Sequence, residues 1–153
     1  MTGWLLDTNV ISRFAPGRNG PTASGVRFGD WMRAHTDDLF LSVVSITEIV
    51  AGIGKLRGTG ATSRADALTS WLDGIASHYG DHIVPVDTAI AHLTGTLSER
   101  ARAAGHSPGL ADILIAATAL YRGYGLLTAN IRHFAPLNLD VPVLDPLTDA
   151  LPT

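Results

Sequence analysis

The sequence predicts an α/β domain with a mostly parallel central sheet of four to five short strands, flanked by helices. Short apolar runs of strand length alternate with longer segments whose apolar residues recur at helical spacing. Strands that alternate with helices are joined by right-handed crossovers into a parallel sheet. The chain has 153 residues, of which 46% are hydrophobic, and no repeat or long linker divides it. Residues 1–153 are therefore predicted to form one domain with a substantial core.

Two strands and two helices are predicted in the first part of the chain. An apolar run covers residues 4–6 and stops at Asp7, and a short helix follows at residues 10–14. Proline and glycine in residues 15–21 break regular structure and predict a surface loop. A second helix ends near His35, and the next apolar run, residues 39–42, has the length of a buried strand.

The rest of the chain predicts four more helices and three more strands. The helices cover residues from Ser45 onward, 61–79, 88–103 and 107–122, and the strands cover residues 83–87, 126–128 and 141–144. Pro85 cannot donate to a strand ladder, which predicts that the third strand lies at a sheet edge. Ser107 and Pro108 are typical of a cap residue and the first turn of a helix.

Charge and composition exclude several classes of protein. With a formal net charge of −3, the chain does not bind nucleic acid through general positive charge, so any phosphate contact must be local. It has no cysteine, which excludes disulfides and thiolate metal sites, and its histidines lack the spacing of a zinc site. It shows neither an apolar stretch long enough to cross a bilayer nor a basic leader. The prediction is therefore a cytoplasmic protein without a membrane anchor.

Three carboxylates and one amide side chain occupy positions that a parallel sheet brings to one edge. Asp7 ends the first strand, and Asn130 follows the fourth. Glu48 lies in the first turn of the helix after the second strand, and Asp112 lies early in the helix that begins at Ser107. Such oxygen ligands suit Mg²⁺ or Mn²⁺, and clustered acids raise one another's pKa unless a cation neutralises them.

Each of these residues also has a purely structural interpretation. Asp7 is a good cap for the helix that follows, Glu48 lies opposite the apolar stripe of its helix, and Asn130 is a common turn residue. Asp112 differs because residues 110–117 are apolar on nearly all sides of their helix. A lone charge on a buried helix is costly without a partner, which favours a functional role for Asp112.

Four segments, taken together, carry a resemblance to a known family. They are Leu6-Asp7-Thr8-Asn9-Val10, Ser45-Ile46-Thr47-Glu48-Ile49 with Gly52, Ala111-Asp112-Ile113-Leu114-Ile115-Ala116-Ala117 and Thr128-Ala129-Asn130. In this order and spacing they resemble the PIN-domain ribonucleases, particularly the VapC toxins of prokaryotic type II toxin–antitoxin systems. The resemblance covers almost the whole chain and implies a PIN-like three-layer fold.

The resemblance also implies metal-dependent endonucleolytic cleavage of RNA. Asp7, Glu48 and Asp112 would hold Mg²⁺, with Mn²⁺ as an alternative, and Asn130 would occupy a fourth catalytic position. Glu48 would either ligate the metal or act through a water as general base. The supporting residues would be Thr8, Asn9 and Thr128.

The partners implied by the resemblance are RNA, a second copy of the chain and an antitoxin. VapC-like toxins form homodimers and are held inactive by a cognate antitoxin, which implies a heterotetramer or larger assembly. One position departs from the family, which often has Asp before the Phe of the last motif. This chain has His133 before Phe134, and the role of His133 is open.

The loop at residues 15–25 is the candidate surface for RNA contact, because it follows Asp7 closely and arginines surround it. These arginines are Arg13, Arg18 and Arg27. A solvated, flexible loop is the alternative interpretation.

Three other functions fit parts of the pattern. A receiver-type domain would use Asp87 as phosphoacceptor, but the chain lacks a second acid beside Asp7 and a lysine near the last strand. A phosphatase with an Asp-x-Asp nucleophile is disfavoured because Asn9 replaces the second acid. A catalytically weak PIN-like module that binds RNA or protein without cutting is the alternative that His133 keeps open.

Overall fold

A five-stranded sheet forms the centre of the fold in the computed structural model, which describes residues 3–17 and 22–153. The strands are β1 Trp4–Leu6, β2 Leu39–Ser42, β3 Ile83–Val84, β4 Gly125–Leu127 and β5 Val143–Leu144. They lie in the order β3-β2-β1-β4-β5, and each neighbouring pair is parallel. The carboxyl ends of the strands therefore share one edge, with β1 in the middle, and the predicted α/β class is confirmed.

Helices cover both faces of this sheet. Those described are α1 Thr8–Ile11, α2 Ala23–Ala34, α3 Val43–Gly58, α4 Thr62–Tyr79, α5 Thr88–Ala103, α6 Leu110–Arg122 and α7 Ile131–Phe134. Helices α1 to α4 pack on one face, and α5 to α7 pack on the other, so the three-layer arrangement is also confirmed. Within the described part of the chain, no helix combines the length and the apolar character that a membrane crossing requires.

The alternation of side chains along the central strands explains why both faces are covered. Leu6 and Leu127 are fully buried among α1 to α4, whereas their neighbours Leu5 and Leu126 are fully buried among α5 to α7. Successive side chains of a strand point to opposite faces, so a continuous apolar run requires a helical layer on each side. Burying each leucine contributes about 1.5–3 kcal/mol.

Two helices begin elsewhere than predicted. Helix α3 begins at Val43 rather than Ser45, because the Ser42 hydroxyl accepts the Val44 N–H at 3.1 Å and caps the helix directly at the end of β2. Glu48 consequently lies in the second turn of α3, not the first. Helix α6 begins at Leu110 rather than at Ser107, because its hydrogen bonding starts at the carbonyl of Gly109.

Two predicted strands are shorter in the structure, and the first helix is divided. Strand β3 ends at Val84, because Pro85 has no N–H to continue the ladder. As predicted, β3 lies at an edge of the sheet. Strand β5 covers only Val143–Leu144. The predicted helix at residues 10–14 is the α-helical turn α1 followed by a 3-10 turn at Ser12–Phe14.

Candidate active site

Asp7 lies directly after β1 and is almost completely buried, with 4% exposure. Its Oδ1 accepts the Thr8 N–H at 2.8 Å, and its Oδ2 accepts the Thr128 hydroxyl at 2.8 Å. One carboxylate oxygen therefore caps α1, as the structural interpretation of Asp7 proposes. The other oxygen is held by Thr128, the residue that directly follows the neighbouring strand β4, so Asp7 is more than a cap.

Burial raises the pKa of Asp7 to about 6, against an ordinary value of 3.8. The hydrogen bonds from Thr128 and Thr8 oppose this rise, and the negative charges of Asp112 and Glu48 add to it. Those two carboxylates are therefore close enough for their charges to raise the pKa of Asp7. Asp7 and Asp112 therefore influence each other although they are separated by more than 100 residues in the chain.

Glu48 is exposed, but a hydrogen bond from Thr8 fixes its direction. The Thr8 hydroxyl lies 2.6 Å from Oε1 of Glu48 and 2.8 Å from the hydroxyl of Ser45, which is fully buried. The Thr8 hydroxyl carries one proton and faces two acceptors, of which the Glu48 carboxylate is the closer and carries the negative charge, so it is the stronger acceptor. Glu48 is thus solvated and, at the same time, tied to the residue that follows Asp7.

Thr128 connects three of the predicted residues on the other side of Asp7. Its fully buried hydroxyl donates to Asp7 and accepts the Asn130 backbone N–H at 3.0 Å. Asn9 lies beside it, with its Nδ2 at 3.5 Å from the Thr128 hydroxyl and its Oδ1 accepting the Ala129 N–H at 3.1 Å. The two residues after Asp7 therefore connect it to different parts of the fold: Thr8 to helix α3, and Asn9 to the segment that follows β4.

Asn130 is the predicted residue with the weakest connection to this network. It is exposed and precedes α7, and its side chain does not cap that helix. The hydrogen bonds of Asn130 involve only its backbone. A catalytic role for the Asn130 side chain therefore stays a prediction.

Asp112 lies in the first turn of α6 and is partly buried. Its Oδ2 is 3.2 Å from Nδ1 of the exposed His133 in α7, which forms an ion pair when His133 is protonated. The charge of Asp112, on a helix that is buried on most sides, is therefore balanced by His133 and by solvent. His133, whose role the sequence leaves open, therefore lies in contact with one of the predicted metal-binding acids.

The donor chemistry of the acids fits a hard divalent cation. In residues 3–17 and 22–153, no three acids or histidines lie close enough together to form a complete metal cage. Mg²⁺ does not require one, because it keeps several waters and is held by one or two carboxylates together with substrate phosphate. A buried carboxylate whose pKa is raised by burial and, to a smaller extent, by the charges of Asp112 and Glu48 is a group that a cation would stabilise.

The predicted RNA-contact arginines have no contact with this network in the part of the chain that is described. Arg13 follows α1 in the 3-10 turn and Arg27 lies in α2, and both are exposed. Arg18 lies outside the described residues. The RNA-contact surface at residues 15–25 stays a prediction.

Sequence reasoning missed Ser45 as a member of the site and did not find the pocket beside Asp112. The pocket is lined by residues from the α5–α6 connection, α6 and α7, including His106, Ser107, Asp112, Arg132 and His133. For Ser45 a signal was available, since a serine three positions before Glu48 lies on the same side of the helix. No local pattern marks the pocket.

Known proteins share this architecture. The model of the PIN domain family matches residues 4–136. The plasmid stability protein StbB of Pseudomonas syringae is 33% identical over 139 residues, covering 90% of this chain and 94% of that protein. The VapC ribonuclease Y4jK of Sinorhizobium fredii is 27% identical over 138 residues, with 90% and 94% covered. The crystal structure of FitAcB from Neisseria gonorrhoeae is similar with a TM-score of 0.80 at 28% identity, covering 95% of this chain and 99% of that one.

The fold and the site together define a class: α/β proteins in which a parallel sheet presents acidic residues at its carboxyl edge. Within that class the chain belongs to the PIN domain family.

Proposed function

We propose that the protein is a metal-dependent endoribonuclease, the toxin component of a toxin–antitoxin pair. The observation that carries the proposal is the buried Asp7 carboxylate, which is fixed by Thr8 and Thr128 and feels the charges of Glu48 and Asp112. The similarity to a protein named VapC ribonuclease supports RNA as the substrate class.

Asp7, Asp112 and Glu48 are the residues that would hold Mg²⁺ or Mn²⁺. When bound, such an ion lowers the pKa of a water, orients it toward a phosphodiester and stabilises the charge that develops. Thr128 keeps one oxygen of Asp7 in a fixed direction, and Thr8 does the same for Glu48. These hydrogen bonds matter because the loss of a residue that orients a metal ligand commonly lowers metal affinity or activity by roughly 10- to 100-fold.

Two roles are open to Glu48, as a direct ligand or as a general base acting through water. Its exposure suits the second role, since a general base needs access to the attacking water. The Thr8 hydrogen bond would then position the carboxylate for proton transfer.

A cognate antitoxin and a homodimer belong to the same proposal. They follow from the resemblance to VapC-like toxins, which pair with themselves and with an inhibitory antitoxin. Co-expression with the product of the neighbouring open reading frame, followed by size-exclusion chromatography with light scattering, tests both: a complex with two copies of each chain or more is expected.

The alternative is a PIN-like module that binds RNA or protein without cutting. The contact between His133 and Asp112 favours it, because a protonated His133 would neutralise part of the charge that a cation requires. Cleavage by the purified protein distinguishes the two functions.

The experiment compares wild-type protein with Asp7→Asn and Asp112→Asn on total cellular RNA, each with Mg²⁺ and with EDTA. Of these three proteins, only the wild type with Mg²⁺ is expected to produce new RNA ends. Asp73→Asn is the matched control and should cut as the wild type does, because Asp73 is an exposed acid on α4 that makes no hydrogen bond with the network. Identical RNA patterns in every lane would refute the nuclease function.

A further inference from the structure

A pocket of about 360 Å³ opens beside Asp112, between the connection from α5 to α6 and helix α7. The side chains that matter for its chemistry are His106, Ser107, Asp112, Arg132 and His133. Its volume lies within the range of about 300–1,000 Å³ that is typical of sites for small ligands. The pocket therefore accommodates a group of nucleotide size next to the acidic network.

Arg132 is the fixed positive charge of this pocket. It is exposed, and its side chain makes no ion pair with another described residue. Its guanidinium is charged at every relevant pH and presents N–H donors in a planar fork that matches phosphate oxygens. Since the protein as a whole is acidic, with a net charge of −3, a cation without a carboxylate partner at this place is informative.

His106 and Ser107 contribute further donors from the other side of the pocket. Both are exposed, and they come from the α5–α6 connection, whereas Arg132 comes from α7. Two elements that are distant in sequence thus supply N–H and O–H groups to one cavity. Such a set of donors fits an anionic group with several acceptor oxygens.

Asp112 joins this pocket to the acidic network. The charge of Asp112 raises the pKa of Asp7, and the same residue lines the pocket and contacts His133 at 3.2 Å. A strand of RNA with one phosphate at the acids would therefore place an adjacent part of its backbone in the pocket.

We propose that this pocket is a subsite for a backbone phosphate of the RNA, adjacent to the phosphate that is cleaved, with Arg132 as its principal contact and His106 and Ser107 as additional donors. The proposal rests on the proposed function, because it takes RNA as the ligand. It adds a way in which an acidic protein holds a polyanion: a local cation, Arg132, in a pocket that Asp112 shares with the acidic site.

The test measures equilibrium binding of a short, fluorescein-labelled single-stranded RNA pool of mixed sequence, in EDTA, at several salt concentrations. Arg132→Gln is expected to weaken binding about fivefold. It should also reduce the slope of log K against log salt by about 0.7, the value for one phosphate contact on a single strand. Arg132→Lys, which keeps the charge, should retain most of the slope.

Arg122→Gln is the matched control, since Arg122 is an exposed arginine at the opposite end of α6 from Asp112. It should bind RNA as the wild type does. If Arg132→Gln has the wild-type affinity and slope, or if Arg122→Gln changes both equally, the subsite is refuted.

A second readout uses uridine 3′-monophosphate as the probe and the amide resonances of the protein in EDTA. Shifts at residues 106, 107, 109, 132 and 133 support the subsite, and shifts confined to other residues, or none at millimolar probe, overturn it. Neither binding measurement requires cleavage. A protein that binds through Arg132 but never cuts RNA would contradict the nuclease function and leave the subsite standing; a nuclease indifferent to Arg132 would do the reverse.

Discussion

The two ends of the central strands differ sharply in chemistry. At the carboxyl end, the buried polar residues Asp7 and Thr128 form a hydrogen-bonded network around an acid with a raised pKa. At the amino end, the ring of Phe40 stacks between His82 and Tyr124, with ring centroids 4.4 and 4.3 Å away. The central strands are therefore flanked by packed aromatic rings at their amino ends and by hydrogen-bonded polar groups at their carboxyl ends.

The difference shows where stability and function are separated. Stacked aromatic rings stabilise the fold by burying area, and they place no requirement on charge. A buried carboxylate that other negative charges influence lowers the stability of the fold, and a cation bound there would offset that loss. Changes at the carboxyl end should thus remove activity, whereas changes at the amino end should remove stability.

The largest effect is expected for Asp7→Asn. It should reduce RNA cleavage by more than about a hundredfold, beyond the range typical of residues that only orient a ligand. Far-ultraviolet circular dichroism should show an unchanged fold, because the amide has nearly the same shape as the carboxylate. Loss of helical signal together with activity would mean that Asp7 is structural.

The stability of the metal-free protein should depend on pH through Asp7. Its carboxyl releases a proton near pH 3.8 in the unfolded chain but near pH 6 in the folded one, so the unfolded state binds fewer protons between these values. Stability that is present below pH 3.8 is therefore lost as the pH rises to about 6, by roughly 3 kcal/mol. Urea unfolding in EDTA at several pH values measures this loss, which Asp7→Asn should lack. An equal loss in the variant would contradict the assignment.

Thr8→Val should reduce cleavage roughly 10- to 100-fold, because it removes the hydroxyl that positions Glu48. Thr8→Ser keeps the hydroxyl and should retain most of the activity. If valine and serine behave alike in a cleavage time course, the hydrogen bond to Glu48 has no catalytic importance.

Gly125→Ala tests the amino end. A methyl group at Gly125 would overlap the rigid indole of Trp4, its partner across the strands β1 and β4. Overpacking of this kind costs about 1–3 kcal/mol, which chemical denaturation measures, while the folded variant should still cut RNA. Gly54→Ala is the control: nothing surrounds that position in α3, so helix propensity predicts a gain of up to about 1 kcal/mol.

The sequence allowed the strands and the acidic edge to be predicted for a physical reason. Runs such as Trp4-Leu5-Leu6 are apolar on both faces and end abruptly at polar residues, so their type and their carboxyl ends are visible locally. A parallel sheet then predicts that Asp7, Glu48 and Asp112 lie near one edge, and the influence of Glu48 and Asp112 on the pKa of Asp7 agrees with that placement.

Helix starts and the pocket could not be predicted in the same way. Ser42 and Ser45 are equally good caps by composition, and only the end of β2 decides that Ser42 begins α3. The pocket depends on how the α5–α6 connection packs against α7, which no local pattern reports. The contact of His133 with Asp112 likewise exists only once α6 and α7 are placed side by side.

The most direct test of the account is whether the carboxyl edge binds a divalent cation. Thermal unfolding of the wild type, Asp7→Asn and the control Asp73→Asn should be compared in EDTA and in millimolar Mg²⁺ or Mn²⁺. Metal is expected to raise the Tm of the wild type and of Asp73→Asn, because it relieves repulsion among acids that folding brings together, and to leave Asp7→Asn unchanged. A wild-type Tm that neither metal alters, or an equal rise in Asp7→Asn, would contradict the shared acidic site.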